Sequence, residues 1–303
     1  MNTLIIGGNG FIGSHLVDKL LKEGHNVRVF DIQYERFRKP LVNVDYRISS
    51  LENNSELEDA MLEIDVVFHL ASSSVPSSSK FDAIKALNNT LIPTLNVLDL
   101  AVKSEIKKIV YFSSGGAVYG HPLSAKINEE HSLKPISSYG IAKVTIEMYL
   151  SLYERMHGLK SLIIRPSNPY GSRQGNFKAQ GVISTFLSKA KNNETMTVFG
   201  DGNSAKDYIY IDDLINLTTK LSFGDNFGVF NIGSGEGTTI NQIVSQIKST
   251  TGSNLKTNNV ETKIYDVNNF VLNISKLRNK TDHIEFTSLK EGIDKTWNWI
   301  KNT

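Results

Sequence analysis

The sequence contains no cysteine, which excludes disulfide bonds, thiolate metal ligands and a cysteine nucleophile. Its seven histidines show no His-x-x-x-His spacing, so no metal site is predicted. No apolar run approaches the roughly 18 residues that a membrane-spanning helix needs. Met1 leads directly into a strand-like run, so no signal peptide is expected.

The sequence also lacks a large excess of positive or negative residues. The net charge of +2 gives no electrostatic reason to expect a nucleic acid or a membrane as partner. With 40% hydrophobic and 21% charged residues among 303, the chain can bury a full core as two domains or one large α/β unit. We therefore expect a cytoplasmic enzyme or binding protein.

The first residues combine a short apolar strand, a glycine-rich turn and a helix. Residues 3–6 (TLII) show no alternation, as expected of a parallel strand that is covered on both faces. Gly7, Gly10 and Gly13 follow at regular spacing, and residues 14–21 have helical apolar spacing. Backbone N–H groups at the start of such a helix can hold a pyrophosphate. This order predicts a nucleotide-binding unit.

A second predicted strand, at residues 26–30, ends at Asp31, 18 positions beyond Gly13. A carboxylate at this strand end accepts hydrogen bonds from the adenosine ribose hydroxyls and repels a 2′-phosphate. Asp31 therefore favours NAD over NADP as cofactor.

Strands and helices continue to alternate. Buried strands are predicted at residues 66–71 and 108–112, with a long helix between them at 81–103. A strand near residues 44–46 and a helix at 56–62 precede them. This alternation predicts a Rossmann-type doubly wound parallel sheet, whose ligands bind at the carboxyl ends of the strands.

Tyr139 and Lys143 carry the predicted chemistry. They stand four residues apart on a predicted helix, so both side chains lie on one face. A free tyrosine has a pKa of about 10 and is only roughly one part in a thousand ionised at pH 7. The Lys143 ammonium and a cationic nicotinamide ring would lower that pKa, which makes Tyr139 a candidate general base. The alternative is a buried tyrosine beside a solvated lysine.

With seven ordered motifs, the sequence resembles the extended short-chain dehydrogenase/reductase family, in particular nucleotide-sugar epimerases of the UDP-glucose 4-epimerase type. The likeness covers nearly the whole chain. The resemblance implies NAD on the N-terminal sheet and a UDP-sugar on the C-terminal part. The motifs are 7–13 (GGNGFIG), 68–71 (FHLA), 113–120 (SSGGAVYG), 138–143 (SYGIAK), 165–171 (RPSNPYG), 200–202 (GDG) with 207–214 (DYIYIDDL), and 231–235 (NIGSG).

Carried over by position, Tyr139 matches the family's base and Lys143 its partner lysine. The family's catalytic hydroxyl is usually the third residue of a serine-rich run, where this chain has Gly115. Ser114 is therefore the first candidate for the hydrogen bond to the reacting sugar hydroxyl, and Ser113 is the second.

The resemblance also implies two sets of binding residues. The cofactor set is Gly7, Gly10, Phe11, Ile12, Gly13, Asp31, Ser50, Leu70, Ala71, Ser72, Asn89, Ser113, Tyr139, Lys143 and Pro166. The substrate set is Ser114, Tyr139, Asn168, Lys206, Lys263 and Phe270.

Several of these positions depart from the family pattern. Ser50 stands where an Asp commonly lies near the adenine, and Asn89 is offset by one position from the family's Asn. Lys206 and Lys263 replace arginines, which keeps the positive charge but loses the planar fork that binds a diphosphate in bidentate geometry. Phe270 would leave little room for an N-acetyl group at sugar C2, so UDP-glucose and UDP-galactose are expected; its alternative role is core packing.

The chain divides into an NAD-binding Rossmann domain at 1–165 and a smaller α/β sugar-nucleotide-binding domain at 166–303. The boundary is interleaved, because a strand at 231–232 can return to the main sheet. Residues 250–262 are predicted to be an exposed connection.

The helix after Tyr139 is apolar on nearly all sides, so it is covered both by the sheet and by something else. Together with the long helix that ends near Lys103, it predicts a homodimer formed through a four-helix contact. The family resemblance implies the same assembly.

The expected activity is NAD-dependent 4-epimerisation of a UDP-hexose through a transient 4-keto sugar. A 4,6-dehydratase is disfavoured, because residues 116–117 (GA) stand where dehydratases have Asp-Glu. A sugar-nucleotide 4-reductase needs the same tyrosine and lysine and remains an alternative, as does a non-catalytic NAD-binding scaffold.

Overall fold

Strands and helices alternate along the protein. The computed structural model describes residues 1–72, 83–122, 124–175, 181–253, 255–261, 269–281 and 283–303. None of the helices in these ranges is both long and apolar enough to cross a membrane. The strands are β1 (Asn2–Ile6), β2 (Asn26–Asp31), β3 (Val44–Ile48), β4 (Val66–His69), β5 (Lys108–Phe112), β6 (Lys160–Pro166), β7 (Asn168–Tyr170), β8 (Met196–Phe199), β9 (Ala205–Tyr210), β10 (Gly228–Ile232), β11 (Gly237–Thr239) and β12 (Thr257–Val260). The helices are α1 (Phe11–Lys22), α2 (Asn54–Met61), α3 (Ala83–Ala86), α4 (Ile92–Lys103), α5 (Gly115–Val118), α6 (Ser138–His157), α7 (Val182–Lys191), α8 (Ile211–Ser222), α9 (Ile240–Thr251), α10 (Ser275–Arg278) and α11 (Leu289–Asn302).

A seven-stranded sheet forms the centre of the fold. Its order is β10-β6-β5-β4-β1-β2-β3, and each neighbouring pair is parallel. Strands β4 and β5 are buried along their whole length, because helices cover both faces of the sheet. The order β3-β2-β1-β4-β5-β6 is that of a dinucleotide-binding Rossmann sheet, so the predicted doubly wound architecture is confirmed.

The long helix predicted at 81–103 is interrupted by a π-helical turn. Within the described part, α3 passes into a π-helix at Leu87–Leu91 and then into α4. Pro93 explains the irregularity, because it has no N–H to donate to the Asn89 carbonyl. The Ile92 N–H instead donates to the Leu87 carbonyl, five residues back. Such turns reorient neighbouring side chains, here Asn89 at the sheet edge.

Helix α6 begins one residue before Tyr139. Ser137 caps it, because its hydroxyl accepts the Gly140 N–H at 3.1 Å. Gly158 ends it with a φ of 71°, a left-handed conformation that costs glycine little. These two caps place Tyr139 in the first turn, beside the carboxyl end of β5.

The last third of the chain returns to the large sheet through β10, which pairs with β6. The rest of this part forms two small sheets, β11-β9-β7 and β12-β8. The prediction that residues 250–262 are only a connection is wrong, because α9 continues to Thr251 and β12 pairs with β8. β12 was not predicted because its sequence is polar and the strand is mostly exposed, so it lacks the apolar pattern that indicates a strand. The division at 165/166 stays a prediction.

Candidate active site

At the junction of β1 and α1, Gly7 and Gly13 leave no space for a side chain. Gly7 has a φ of 84°, and a Cβ there would lie 2.7 Å from the Ala71 backbone nitrogen. A Cβ on Gly13 would lie 2.3 Å from the Gly7 carbonyl oxygen. This close packing brings the first turn of α1, with Phe11 and Ile12, to the sheet edge, where its N–H groups have no intrahelical acceptor. The turn therefore forms a cradle that suits a pyrophosphate.

Asp31 lies beside this cradle at the end of β2. Its Oδ2 accepts the Asn9 N–H at 3.0 Å, and the residue lines the same cleft as Gly7. Burial raises the pKa of the Asp31 carboxyl, while backbone N–H groups of Asn9, Ile32 and Gln33 oppose the increase. Asp31 thus lines the cleft at the end of β2, and its contact with a ribose stays a prediction.

A cleft of about 480 Å³ opens at this edge of the sheet. Eight predicted cofactor residues line it: Gly7, Gly10, Asp31, Ser50, Leu70, Ala71, Ser72 and Asn89. The other predicted cofactor residues are not part of this lining: Phe11, Ile12, Gly13, Ser113, Tyr139, Lys143 and Pro166. A glycine cradle, an acidic strand end and a cleft between them fit a dinucleotide such as NAD.

The sequence reasoning missed Gln33, Leu51 and Thr94, which also line the cleft. Gln33 and Leu51 follow β2 and β3, so their place at the carboxyl edge was a usable signal. Thr94 was harder to predict from the sequence, because the π-helical turn changes which side chains lie on the same helix face as Asn89.

His69, at the end of β4, is a neutral acceptor beside the cleft. The Thr94 hydroxyl donates to the Thr90 carbonyl at 2.7 Å, so its oxygen accepts from His69 Nε2 at 2.9 Å. His69 Nδ1 then carries no hydrogen and has no partner among the described residues. Burial, with a smaller contribution from Lys143, lowers the pKa of His69 to about 3.

Ser114, Tyr139 and Lys143 meet where β5 ends and α6 begins. The Ser114 side chain lies close enough to Tyr139 to stabilise its phenolate. Lys143 is 2% exposed, and its ammonium donates to the Phe112 carbonyl at 2.6 Å. Its Nζ lies 5.7 Å from the centre of the Tyr139 ring and 4.6 Å from that of Tyr111. The structure thus brings the three predicted catalytic residues together, and Lys143 is not a solvated lysine.

Burial dominates the electrostatics of this centre. It raises the pKa of Tyr139 to about 12, although the Ser114 hydrogen bond opposes the increase. It lowers the pKa of Lys143 to about 7, although the charge of Glu147 opposes the decrease. The expectation that Lys143 lowers the pKa of Tyr139 is therefore wrong for the protein alone, because the protein's own groups raise that pKa. The loss of water destabilises the phenolate more than the Ser114 hydroxyl stabilises it.

The two candidate serines have different partners. The Ser113 hydroxyl is buried and donates to the Glu147 carboxylate, whereas the Ser114 side chain lies next to Tyr139. At Gly115 a Cβ would lie 2.9 Å from the Pro166 carbonyl oxygen, so the chain has no room for a serine there without adjustment. The geometry therefore favours Ser114 over Ser113 as the hydroxyl that faces the reaction.

The predicted substrate residues lie around β7 and β9. Asn168 donates its side-chain N–H to the Asp207 carbonyl at 2.7 Å, and Lys206 forms a backbone bridge with Phe270. Phe270 is 2% exposed and belongs to the main hydrophobic core, which favours its packing role. Lys263 lies outside the described residues. Contact of any of these side chains with substrate stays a prediction.

Comparison with known proteins identifies the family. Residues 3–233 match the model of the NAD dependent epimerase/dehydratase family. A Methanocaldococcus jannaschii protein provisionally named UDP-glucose 4-epimerase is 34% identical over 99% of this chain and 98% of its own length. The Escherichia coli dTDP-4-dehydro-6-deoxyglucose reductase is 30% identical over 96% and 95%.

Solved structures agree over the full length. UDP-glucose 4-epimerase of Thermotoga maritima, solved with UDP-glucose, superimposes with a TM-score of 0.94 at 34% identity, covering 100% of this chain and 99% of that one. The Thermus thermophilus enzyme of the same name, solved with NAD, gives 0.91 at 28% identity, covering 99% of each chain. This chain therefore belongs to the NAD-dependent epimerase/dehydratase family of nucleotide-sugar enzymes.

Proposed function

We propose that this protein catalyses NAD-dependent 4-epimerisation of a UDP-hexose, of the UDP-glucose/UDP-galactose type, through a transient 4-keto sugar. The observation that carries the proposal is the contact between Ser114 and Tyr139 directly above a buried Lys143, next to the cleft that fits NAD. Bound NAD supplies a hydride acceptor that also returns the hydride, so no reductant is consumed.

Tyr139 is the group that takes the proton of the sugar 4-hydroxyl and later returns it. Because its pKa is raised, the phenolate that acts as base is scarce at neutral pH, so the cationic centre must favour the phenolate during turnover. Lys143 serves this role when it is protonated, and the Phe112 carbonyl holds its ammonium in place. Ser114 donates to the reacting sugar oxygen and keeps the Tyr139 hydroxyl aimed at it.

Lys206 and Lys263 are proposed to neutralise the substrate diphosphate, and Asn168 to contact it. A lysine ammonium is a point charge, so it attracts a diphosphate without the bidentate geometry of arginine. The test is a panel of UDP-, dTDP-, GDP- and CDP-sugars, with products identified by mass spectrometry and NMR. Interconversion of UDP-glucose and UDP-galactose without added reductant is expected. A product that has lost water, or turnover of non-UDP sugars alone, would contradict the proposal.

A sugar-nucleotide 4-reductase is the second candidate, since a reductase is among the relatives of comparable identity. It would consume reduced cofactor in step with product, usually NADPH. Asp31 argues against NADPH, because its carboxylate would face the 2′-phosphate. A stoichiometric loss of nicotinamide absorbance during turnover would decide for the reductase. Binding of NAD and UDP-sugar without any product would instead support a scaffold.

We also propose a cytoplasmic homodimer formed by α4 and α6. The two helices lie side by side, and each exposes large apolar side chains: Ile92 is 50% exposed, Ile141 54% and Met148 67%. A second copy would cover this surface in a four-helix contact. Sedimentation of Ile141→Glu/Met148→Glu should show a monomer, whereas Leu62→Glu, at another exposed position, should leave a dimer. A parent protein that sediments as a monomer would refute the dimer, and cell fractionation tests the location.

A further inference from the structure

Glu147 lies two helical turns beyond Tyr139 on α6, on the same face as Tyr139 and Lys143. Its residue is 4% exposed, and its carboxylate forms a bidentate pair with Arg165. Arg165 Nε donates to Oε1 at 3.1 Å, and Nη2 donates to Oε2 at 2.5 Å. A third donor, the Ser113 hydroxyl, also reaches Oε1. The carboxylate therefore has a full set of partners without lining the cofactor cleft.

The pair continues into a chain of buried polar groups behind the serine loop. Arg165 Nη1 donates to the Tyr119 hydroxyl at 2.8 Å, and that hydroxyl donates to Asn231 Oδ1 at 2.7 Å. These contacts connect α6, β6 and β10 to the segment that carries Ser113 and Ser114. A buried charge that loses its partner is strongly unfavourable, so the network fixes these elements relative to one another.

Four titratable side chains surround Lys143 in the described structure. Tyr111 on β5 lies beneath the ammonium, His69 on β4 is neutral, and Tyr139 and Glu147 lie on its own helix. Of these, Glu147 is the one whose negative charge favours the protonated lysine. Arg165 is the cation that pairs with the Glu147 carboxylate.

We propose that Glu147 is a positioning residue of the reaction centre, with two effects. It binds the Ser113 hydroxyl, which leaves Ser114 as the serine that faces Tyr139, and it provides the counter-charge of Lys143. The proposal rests on the proposed function in so far as Lys143 must be protonated to assist Tyr139. Glu147 acts only through hydrogen bonds and its charge; no proton is transferred to it, and it forms no covalent bond.

The test compares neutralised and matched variants of the full-length protein. Glu147→Gln removes the charge but leaves Arg165 buried without a partner, so this single variant is expected to lose thermal stability. Glu147→Gln/Arg165→Met removes both charges and should recover much of that stability. Glu147→Asp keeps the charge as the conservative rescue. Glu154→Gln, on the same helix and paired with Lys160 at 3.4 Å, is the control.

The first measurement is the titration of Lys143 by ¹³C NMR of ε-labelled lysine, assigned with Lys143→Arg. In the parent the midpoint should lie near 7, because burial lowers the pKa of Lys143 to about 7. The double variant loses both charges, but Glu147 is the charge that raises the pKa of Lys143 and Arg165 is not among the groups that shift it, so this variant should titrate about one pH unit lower. Glu154→Gln should match the parent, and Glu147→Asp should lie closer to the parent than the double variant. An unchanged midpoint in the double variant would overturn the electrostatic part of the proposal.

The second measurement is the pH dependence of kcat. A lysine whose pKa falls from about 7 to about 6 keeps most of its protons at pH 5.5 but about tenfold fewer at pH 8. The double variant should therefore lose roughly tenfold in kcat at pH 8 and less than twofold at pH 5.5, with KM nearly unchanged. A loss that is equal at both pH values would indicate a merely structural role. If the parent turns over no sugar nucleotide, the proposed function fails, while the NMR titration still decides the role of Glu147.

Discussion

The cofactor cradle and the reaction centre lie at the same edge of the sheet but are built from different atoms. The cradle consists of backbone: Gly7 and Gly13 are needed because their neighbours leave no space for a Cβ. The reaction centre consists of side chains, in which Tyr139, Lys143 and Glu147 follow each other along one face of α6. A backbone site is fixed by shape, whereas a side-chain site depends on which groups carry charge when water is removed.

This difference predicts which property each change should alter. Removing an atom from the reaction centre should reduce the rate and leave cofactor binding intact. Adding an atom to the cradle should weaken cofactor binding and leave the chemistry of bound enzyme intact.

The largest effect is expected for Tyr139→Phe. The variant keeps the ring that packs above Lys143 but cannot exchange a proton, so kcat should fall by at least ~10². The NAD content of the purified protein, measured by chromatography after denaturation, should equal that of the parent. Tyr149→Phe, on the same helix, is the control and should keep full rate. A fully active Tyr139→Phe enzyme would refute the assignment of the base.

A smaller but clear effect is expected for Gly13→Ala. The new Cβ would lie 2.3 Å from the Gly7 carbonyl oxygen and 2.7 Å from the Gly8 Cα, so the cradle must open. We expect the affinity for NAD to fall about tenfold or more, which corresponds to ~1.4 kcal/mol. Gly116→Ala is the matched control, because a Cβ there meets nothing within 4 Å. Titration calorimetry checks both, and parent-like NAD affinity in Gly13→Ala would mean that the turn is not the binding site.

Asp31→Asn tests the acidic group that lies beside the cradle. The amide keeps an acceptor for the Asn9 N–H but no longer repels a 2′-phosphate. The preference for NAD over NADP should therefore decrease by roughly tenfold, because a like-charge contact is removed. Glu52→Gln changes another acidic residue of the cleft lining and should leave the preference unchanged. If Asp31→Asn discriminates as the parent does, the ribose is recognised elsewhere.

The smallest effect is expected for Phe270→Ser, because the side chain is 2% exposed and packed in the core. If the ring also limits the space at sugar C2, kcat/KM for UDP-N-acetylglucosamine should rise relative to UDP-glucose by about 1 kcal/mol. Thermal stability should decrease as well, since a buried aromatic ring is lost. A stability loss without any change in the kcat/KM ratio would assign Phe270 to packing alone. A parent enzyme that prefers the N-acetyl sugar would contradict the predicted substrate.

The sequence predicts the cradle better than the reaction centre for a physical reason. The glycine spacing and the position of Asp31 can each be read from a short stretch of sequence, and each has a single geometric reason. The spacing of Tyr139 and Lys143 also predicts that they meet, because helical geometry is regular. Their pKa values depend on burial by distant strands and on Glu147, whose pairing with Arg165 joins residues that are 18 apart in sequence. No local pattern contains that information.

The same limit applies to Asn89 and to β12. A π-helical turn shifts the face of a helix by an amount that hydrophobic spacing does not encode, although Pro93 marks the region. The pairing of β12 with β8 depends on an exposed polar segment finding a strand edge, so apolar alternation gave no sign of it.

The pairing of β10 with β6 has a consequence for how the protein is made. β6 ends at Pro166, and its outer edge stays open until residues 228–232 have left the ribosome. The nascent chain therefore carries a buried-type apolar strand, with Leu162, Ile163 and Ile164, as an unpaired edge for more than sixty residues of synthesis. Such an edge is a template for pairing with other chains. A fragment that stops at residue 165 should aggregate rather than fold, and the complete chain should depend most on chaperones during this interval.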